Sequence, residues 1–410
     1  MSVSFAQMPS TLLQQATIVH EAVTDGPQDV LIVDDTITEV ASSIATPADE
    51  TVDLSGWLLS PAAVEPHAHL DKAFLAEAVA NPTGDLMGAI EAMAASRDLF
   101  DLADTIARAE RAARLMAANG YRAVRTHADT TTEQGLRSIH ALVEVKRRLI
   151  DVIDVEIVAL CGWPVVGVRG TDQRQLLVDA LDAGADLVGG CPHLEEPSDI
   201  AAATEFFLQT ATDHGVGVDL HTDETLDPDV LGLVDLATMV LDGFDHPVTA
   251  SHCVSLGMQT ADRQHEIAAL VAEARISVIA LPHTNLFLLG RGQAPMPRGL
   301  TAVAALRAAG VQVAAGADNL QDPFNPVGRA CPFETAGLMI MTSHLLAHEA
   351  WGSVTDAASL AVTHTAPRIA AGEQADLLAV AASSLREAIA FGPSRRMVWR
   401  RGTLTGETES

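Results

Sequence analysis

The strongest constraint on the fold is an alternation. Eight apolar, β-type runs recur along the middle of the chain: "LLSPAAVEPHAH", "YRAVRTHAD", "VEIVALCGWP", "ADLVGGCPH", "GVGVDLHTD", "PVTASHC", "ISVIALPHTN" and "VQVAAGADN". Stretches of helical period separate them, for example "TIARAERAARLMAANG" and "DQRQLLVDALDAG", each ending on a glycine suited to a helix C-terminus. Eight β-runs alternating with helices over roughly 250 residues fit an α/β fold, the (β/α)8 TIM barrel. A doubly wound sheet would need a phosphate-binding glycine-rich turn, and none follows any of these runs. The flanks read as short strands: "ATIVHEAV", "DVLIVDDTITEVAS" and "VDLSGWLLS" before the barrel, "GEQADLLAV" and "RRMVWRRGTLTG" after it, with Gly372 and Gly402 at turns. The expected division is terminal strands in 1–60 and 368–410 around a barrel in 61–367.

Composition narrows the partners. A hydrophobic share of 48% over 410 residues describes a globular chain. A formal net charge of -29 repels a phosphate backbone, so no nucleic-acid partner is expected. No apolar stretch approaches the ~18 residues of a membrane helix. No Lys or Arg precedes Lys72, which speaks against a secretory signal or a mitochondrial presequence. Cys161, Cys191, Cys253 and Cys331 lie far apart and form no CxxC, so neither a disulfide framework nor a thiolate zinc site is expected. The expected compartment is the cytoplasm.

The run "VEPHAHLDK" places two histidines one residue apart at a strand end. In a strand, residues i and i+2 share a face, so His67 and His69 project together and can hold a metal ion. Catalytic groups of a (β/α)8 barrel sit at the C-terminal ends of its strands. The informative residues occupy those positions: His67 and His69 on the first run, His221 on the fifth, His252 on the sixth and Asp318 on the eighth. Three imidazoles and a carboxylate suit zinc or ferrous iron with one position open to water. Such an ion lowers the pKa of its water to about 7, and the hydroxide formed can attack an electron-poor sp2 carbon. Glu224, just past His221 in "HTDE", is placed to act as general acid/base toward a ring nitrogen. His252 is the candidate to orient the water or shuttle a proton, and Asp318 to accept the water proton while holding the metal.

At this point the chain resembles the amidohydrolase superfamily, and within it the cytosine deaminase-like branch. The resemblance rests on "PHAHLDK", "RTHAD", "ALVEVKRRL", "GADLVGGCPHLE", "VDLHTDE", "TASHC", "NLFLLGR" and "GADNLQDPFNPVG", in that order. It implies a barrel flanked by a small β-sandwich built from both chain ends. It also implies one catalytic zinc or iron at His67, His69, His221 and Asp318, proton transfer by Glu224 and His252, and frequent homo-oligomers. Binuclear relatives bridge two ions with a carboxylated lysine at the end of strand four. Here that strand ends "GGCPHLEE", which points to one metal and leaves His193 as a candidate pocket residue.

The expected reaction is hydrolytic removal of ammonia from a small aminated N-heterocycle or cyclic amidine. The alternatives are an N-alkylaminohydrolase or cyclic amidohydrolase on a triazine-like or lactam ring, and a non-catalytic metal-binding protein in which Glu224 and His252 would have no purpose. Cytosine itself is not the expected substrate. Where cytosine deaminase carries a base-reading glutamine after strand three, this chain has Gly162 followed by Trp163, and a second aspartate after the metal aspartate is replaced by Asn319. Trp163, Asn319 and His193 are the expected substrate-binding residues.

Overall fold

The computed structural model of the chain describes residues 9–19 and 26–408. Five strands precede the barrel: β1 (Ser10–Ile18), β2 (Gln28–Val33), β3 (Thr36–Ala41), β4 (Glu50–Asp53) and β5 (Leu58–Pro61). The part of "ATIVHEAV" beyond Val19 lies outside the described residues. The barrel strands are β6 (Ala63–Ala68), β7 (Tyr121–Thr130), β8 (Asp154–Cys161), β9 (Leu187–Gly190), β10 (Val218–Thr222), β11 (Val248–His252), β12 (Ser277–Ala280) and β13 (Val313–Ala315). Three more follow: β14 (Leu377–Val380), β15 (Arg396–Arg400) and β16 (Thr403–Thr408).

Strands β6 to β13 pair in sequence order, every pair parallel. A bridge between Ala68 and Asp318 closes the ring, with the Asp318 amide donating to the His67 carbonyl at 3.0 Å. All eight sequence runs therefore become barrel strands. The first is split, because the chain changes partners at Ala62. Its amide donates to Asp376 of the terminal sheet, whereas Ala63 donates to Gly120 at the foot of the barrel. Leu58–Pro61 accordingly belongs with the terminal strands. These join in one mixed path, β16-β15-β14-β5-β1-β2-β3, with β4 added beside β1. Leu13, Ile18, Ile32, Leu59, Leu377 and Trp399 from both chain ends share one core there.

The main core lies between the barrel strands and their helices, where Leu142, Leu177, Phe207, Leu236 and Ile267 are buried. Inside the barrel the layer is ionic where branched apolar residues are usual. Arg125 of β7 is buried and donates to Asp219 of β10 at 2.9 Å, to Thr249 of β11 at 3.0 Å and to Glu156 of β8. Burial lifts the Asp219 carboxyl to about 6 in spite of its contact with that guanidinium. This layer is the floor on which the strand-end residues stand. Among the described residues, no helix is long and apolar enough to cross a membrane.

Candidate active site

Period-two alternation carries the polar floor upward. On β6, His67 follows Glu65 on the same face. On β7, His127 follows Arg125; on β10, His221 follows Asp219; on β11, Ser251 follows Thr249. All eight are buried. His69, Glu224 and Asp318 come from the loops just beyond β6, β10 and β13 and complete the upper layer.

The four expected metal ligands converge. His69 Nε2 lies 3.2 Å from Asp318 Oδ1 and 3.2 Å from His221 Nε2, and His67 Nε2 lies 3.6 Å from Asp318 Oδ1. His67, His69 and Asp318 form one group with metal-holding spacing, and His67, His221 and His252 another. The buried atoms His67 Nε2, His252 Nε2 and Asp318 Oδ2 have no hydrogen-bond partner among the described residues. Buried polar atoms are seldom left in that state. Nitrogen and carboxylate donors aimed at one point fit a divalent transition metal. Burial drives His67 and His221 well below the usual imidazole range, so both are neutral, as metal ligands must be. Burial alone would raise Asp318, but the hydrogen bond with His69 and the imidazole of His252 hold it below its ordinary value.

Two backbone features aim these groups. Asp318 has φ 64° and His252 φ 69°, both in the left-handed region that costs most residues energy. Each sits where a strand ends and its side chain must turn back over the barrel mouth. Gly316 admits no side chain, because a Cβ there would meet Glu65 Oε1 at 2.6 Å. Glu65 in turn accepts the amides of His67 and Ala317 at 3.2 and 3.0 Å and ties the ends of β6 and β13 together.

Glu224 is buried beside His252. Its Oε1 is 3.4 Å from His252 Nδ1 and 3.3 Å from Asn285 Nδ2, which also lies 2.9 Å from His252 Nδ1. Burial, with the Asp318 carboxylate next in weight, pushes Glu224 well above the usual carboxylate range. With Asn285 donating, His252 Nδ1 is an acceptor and its proton sits on Nε2, 3.9 Å from Asp318 Oδ2. Burial holds His252 near 4, so it is neutral.

A cavity of about 450 Å³ opens over these groups, with His69, His221, Glu224, His252 and Asp318 in its wall. Trp163 lines it while remaining 39% exposed, so it stands in the cavity rather than in the barrel wall. Asn319 lines it as well, with one of its two amide hydrogens given to Asp322 at 2.7 Å. His193 lines it with Nδ1 held by the His221 carbonyl at 3.0 Å and Nε2 without a partner among the described residues. At Gly162 a Cβ would come within 2.9 Å of Gln173 Oε1. Gln173 cannot stand in for the missing amide, because it donates to the Thr130 carbonyl and accepts from the Thr132 amide.

Several site residues escaped the sequence reading. His127 stacks 4.0 Å from His67, ring to ring, with both nitrogens unpartnered, and forms a third group of metal-holding spacing with His67 and Asp219. The same i, i+2 pattern that picked out His67 and His69 marks Arg125, His127 and Asp129. Ser251 bridges His67 Nδ1 at 2.8 Å and Asp219 at 3.0 Å. Lys72 joins Asp129 at 2.6 Å and approaches His69 Nδ1 at 3.3 Å.

The model of the amidohydrolase family matches residues 76–405. A pterin deaminase of Rhizobium rhizogenes (strain K84 / ATCC BAA-868) is 33% identical, over 98% of this chain and 96% of the relative. The crystal structure of 5-methylcytosine deaminase from Klebsiella pneumoniae liganded with phosphonocytosine superposes with a TM-score of 0.88 at 28% identity, covering 97% of this chain and 98% of that one. That of N-isopropylammelide isopropylaminohydrolase from Burkholderia multivorans ATCC 17616 does so with a TM-score of 0.84 at 29% identity, covering 98% and 99%. With a family match across most of its length and barrel and terminal sheet shared with these structures, the chain belongs to the amidohydrolase family.

Proposed function

We propose that this chain is a metal-dependent hydrolytic deaminase of an aminated N-heterocycle, and that one ion is held by His67, His69, His221 and Asp318. The observation that carries the reading is the pairing of that donor set with a buried Glu224, whose carboxyl burial pushes well above its usual range, in the wall of one cavity. Similarity to a pterin deaminase and to 5-methylcytosine deaminase supports deamination over other carbon–nitrogen hydrolysis. The four cysteines are unpaired, which fits a reducing cytoplasm.

A divalent ion in this site supplies a Lewis acid that brings the pKa of water down to about 7. The protein residues do the rest. His252 offers its Nε2–H beside Asp318, so the two hold one oxygen between a donor and an acceptor and fix the line of its attack. Asp318 takes the first water proton. Glu224 gives its proton to the ring nitrogen next to the aminated carbon, takes one from the hydroxyl of the adduct and passes it to the departing amino group, and is reset by the proton that Asp318 holds. A carbon–oxygen bond forms, a carbon–nitrogen bond breaks, and ammonia leaves. Asn285 keeps Glu224 and His252 in register.

Ser251 sets the His67 tautomer. It donates to Asp219, so its oxygen accepts Nδ1–H of His67 and leaves the Nε2 lone pair facing the donor set. Hydrogen-bond partners of ligating histidines typically govern about 10- to 100-fold in metal affinity. Ser251→Ala is therefore expected to weaken metal binding by that factor, read by competition with a chromophoric chelator. Unchanged affinity would remove Ser251 from this role.

An ammonia-release screen over aminopteridines, aminopurines, aminopyrimidines and aminotriazines tests the function. At least one ring is expected to reach a kcat/KM of about 10⁴ M⁻¹s⁻¹ or more. Cytosine is expected to fall well below it, since Gly162 offers no side chain to the ring and Gln173 is fully committed. Release of alkylamine without ammonia would contradict the deaminase reading.

A further inference from the structure

The cavity extends beyond what a single-ring substrate needs. Its volume of about 450 Å³ lies in the ~300–1,000 Å³ range of pockets that take drug-sized ligands. Part of its wall is one face of a helix, α1 (Leu86–Ser96). Leu86, Ile90, Met93 and Ala94 recur at helical spacing and all line the cavity, and Arg97 follows directly after the helix. This face is an apolar surface against which a ring can lie.

Two guanidinium groups border it. Arg97 lines the cavity and its side chain meets no acceptor among the described residues. Arg137 lines the cavity too, and gives two of its five N–H donors to backbone carbonyls, Phe100 at 2.7 Å and Arg97 at 3.1 Å. Neither forms an ion pair among the described residues. The other cations in this wall are matched: Lys72 with Asp71 and Asp129, Arg108 with Asp104. Glu133 shares the wall but is exposed and bonded to neither arginine. In a chain of net charge -29, two unmatched arginines beside one cavity form a local positive spot. No residue of the donor set, and neither Glu224 nor His252, touches them. No hydrogen bond or ion pair among the described residues joins them to these groups, so they are free to meet another part of a bound ring system.

We infer that the substrate is a fused-ring aminoheterocycle bearing an anionic substituent, such as a carboxylate, on the part of the ring system remote from the amino group, with Arg97 and Arg137 binding that anion. The inference rests on the deaminase reading of the same site. Arginine suits it because its planar fork grips carboxylate through two donors. The apolar face of α1 holds the second ring.

The test compares two pteridines with the same amino group, one carrying a carboxylate and the other a hydroxymethyl group on the remote ring. With metal-loaded protein, kcat/KM is expected to favour the carboxylate by about 10- to 100-fold, the range of a hydrogen bond to a charged group. The ratio is expected to fall toward one in Arg97→Gln and to shrink at high salt. Arg97→Lys should restore part of it. Arg97 makes no bond that the fold needs, so this variant is the one to read first. A ratio near one in the parent protein, or one that Arg97→Gln leaves unchanged, overturns the inference while leaving deamination standing. If neither ring releases ammonia, the screen over the other ring classes decides the deaminase reading. Binding of the two deaminated rings, measured by calorimetry, then decides separately. Tighter binding of the carboxylated ring that Arg97→Gln abolishes supports the anion site, and equal binding overturns it.

Discussion

Glu224→Gln is expected to keep fold and metal content and to lose most turnover. The substitution preserves volume and the contact with Asn285 but removes the carboxyl in the cavity wall that burial pushes well above the usual carboxylate range. Positioned acid–base groups are worth about 10²- to 10⁴-fold in rate. Glu224 serves two transfers in the proposed sequence, so the upper part of that range is expected. Steady-state kinetics beside a metal assay and a melting curve separate the outcomes. A loss below about tenfold in a protein with full metal would take the acid role away from Glu224.

Removing the metal, or one of its ligands, is expected to have the second large effect, on stability as well as activity. An ion that binds only the folded chain stabilises it by about 2.7 kcal/mol at a hundred times Kd and about 4.1 kcal/mol at a thousand times. Chelation should therefore lower Tm and abolish ammonia release together, and re-addition of zinc or iron should restore both. His221→Ala and Asp318→Ala should arrive metal-poor and inactive, and their melting should no longer respond to chelator. His221 and Asp318 are buried, so circular dichroism on each variant is needed to show that the barrel is intact. A parent protein whose Tm and turnover ignore chelator would exclude the metal site.

The barrel was legible because its strands are buried on both sides and read as apolar runs between amphipathic helices. The strand-end histidines were legible because period two puts His67 and His69 on one face and the fold puts strand ends at the site. The split of "LLSPAAVEPHAH" was not, since nothing in an apolar run records where backbone partners change at Ala62. His127 obeys the same alternation as His67 but stands alone between Thr126 and Ala128, so no second histidine marked it. Gly162 was visible as a missing side chain, yet only three dimensions show that Gln173, eleven positions on, already fills the space. The α1 face reads as an ordinary helix stripe. That it covers a cavity rather than a core depends on where the loop after β6 folds back, which local pattern does not encode.

The most direct measurement is a metal titration of metal-free protein with ammonia release as the readout, on the best ring found by the screen. The expected curve rises linearly and breaks at one equivalent of zinc or ferrous iron per chain, with one ammonia formed for each ring consumed. A break at two equivalents, or turnover independent of added metal, would contradict a deaminase built on the single donor set of His67, His69, His221 and Asp318.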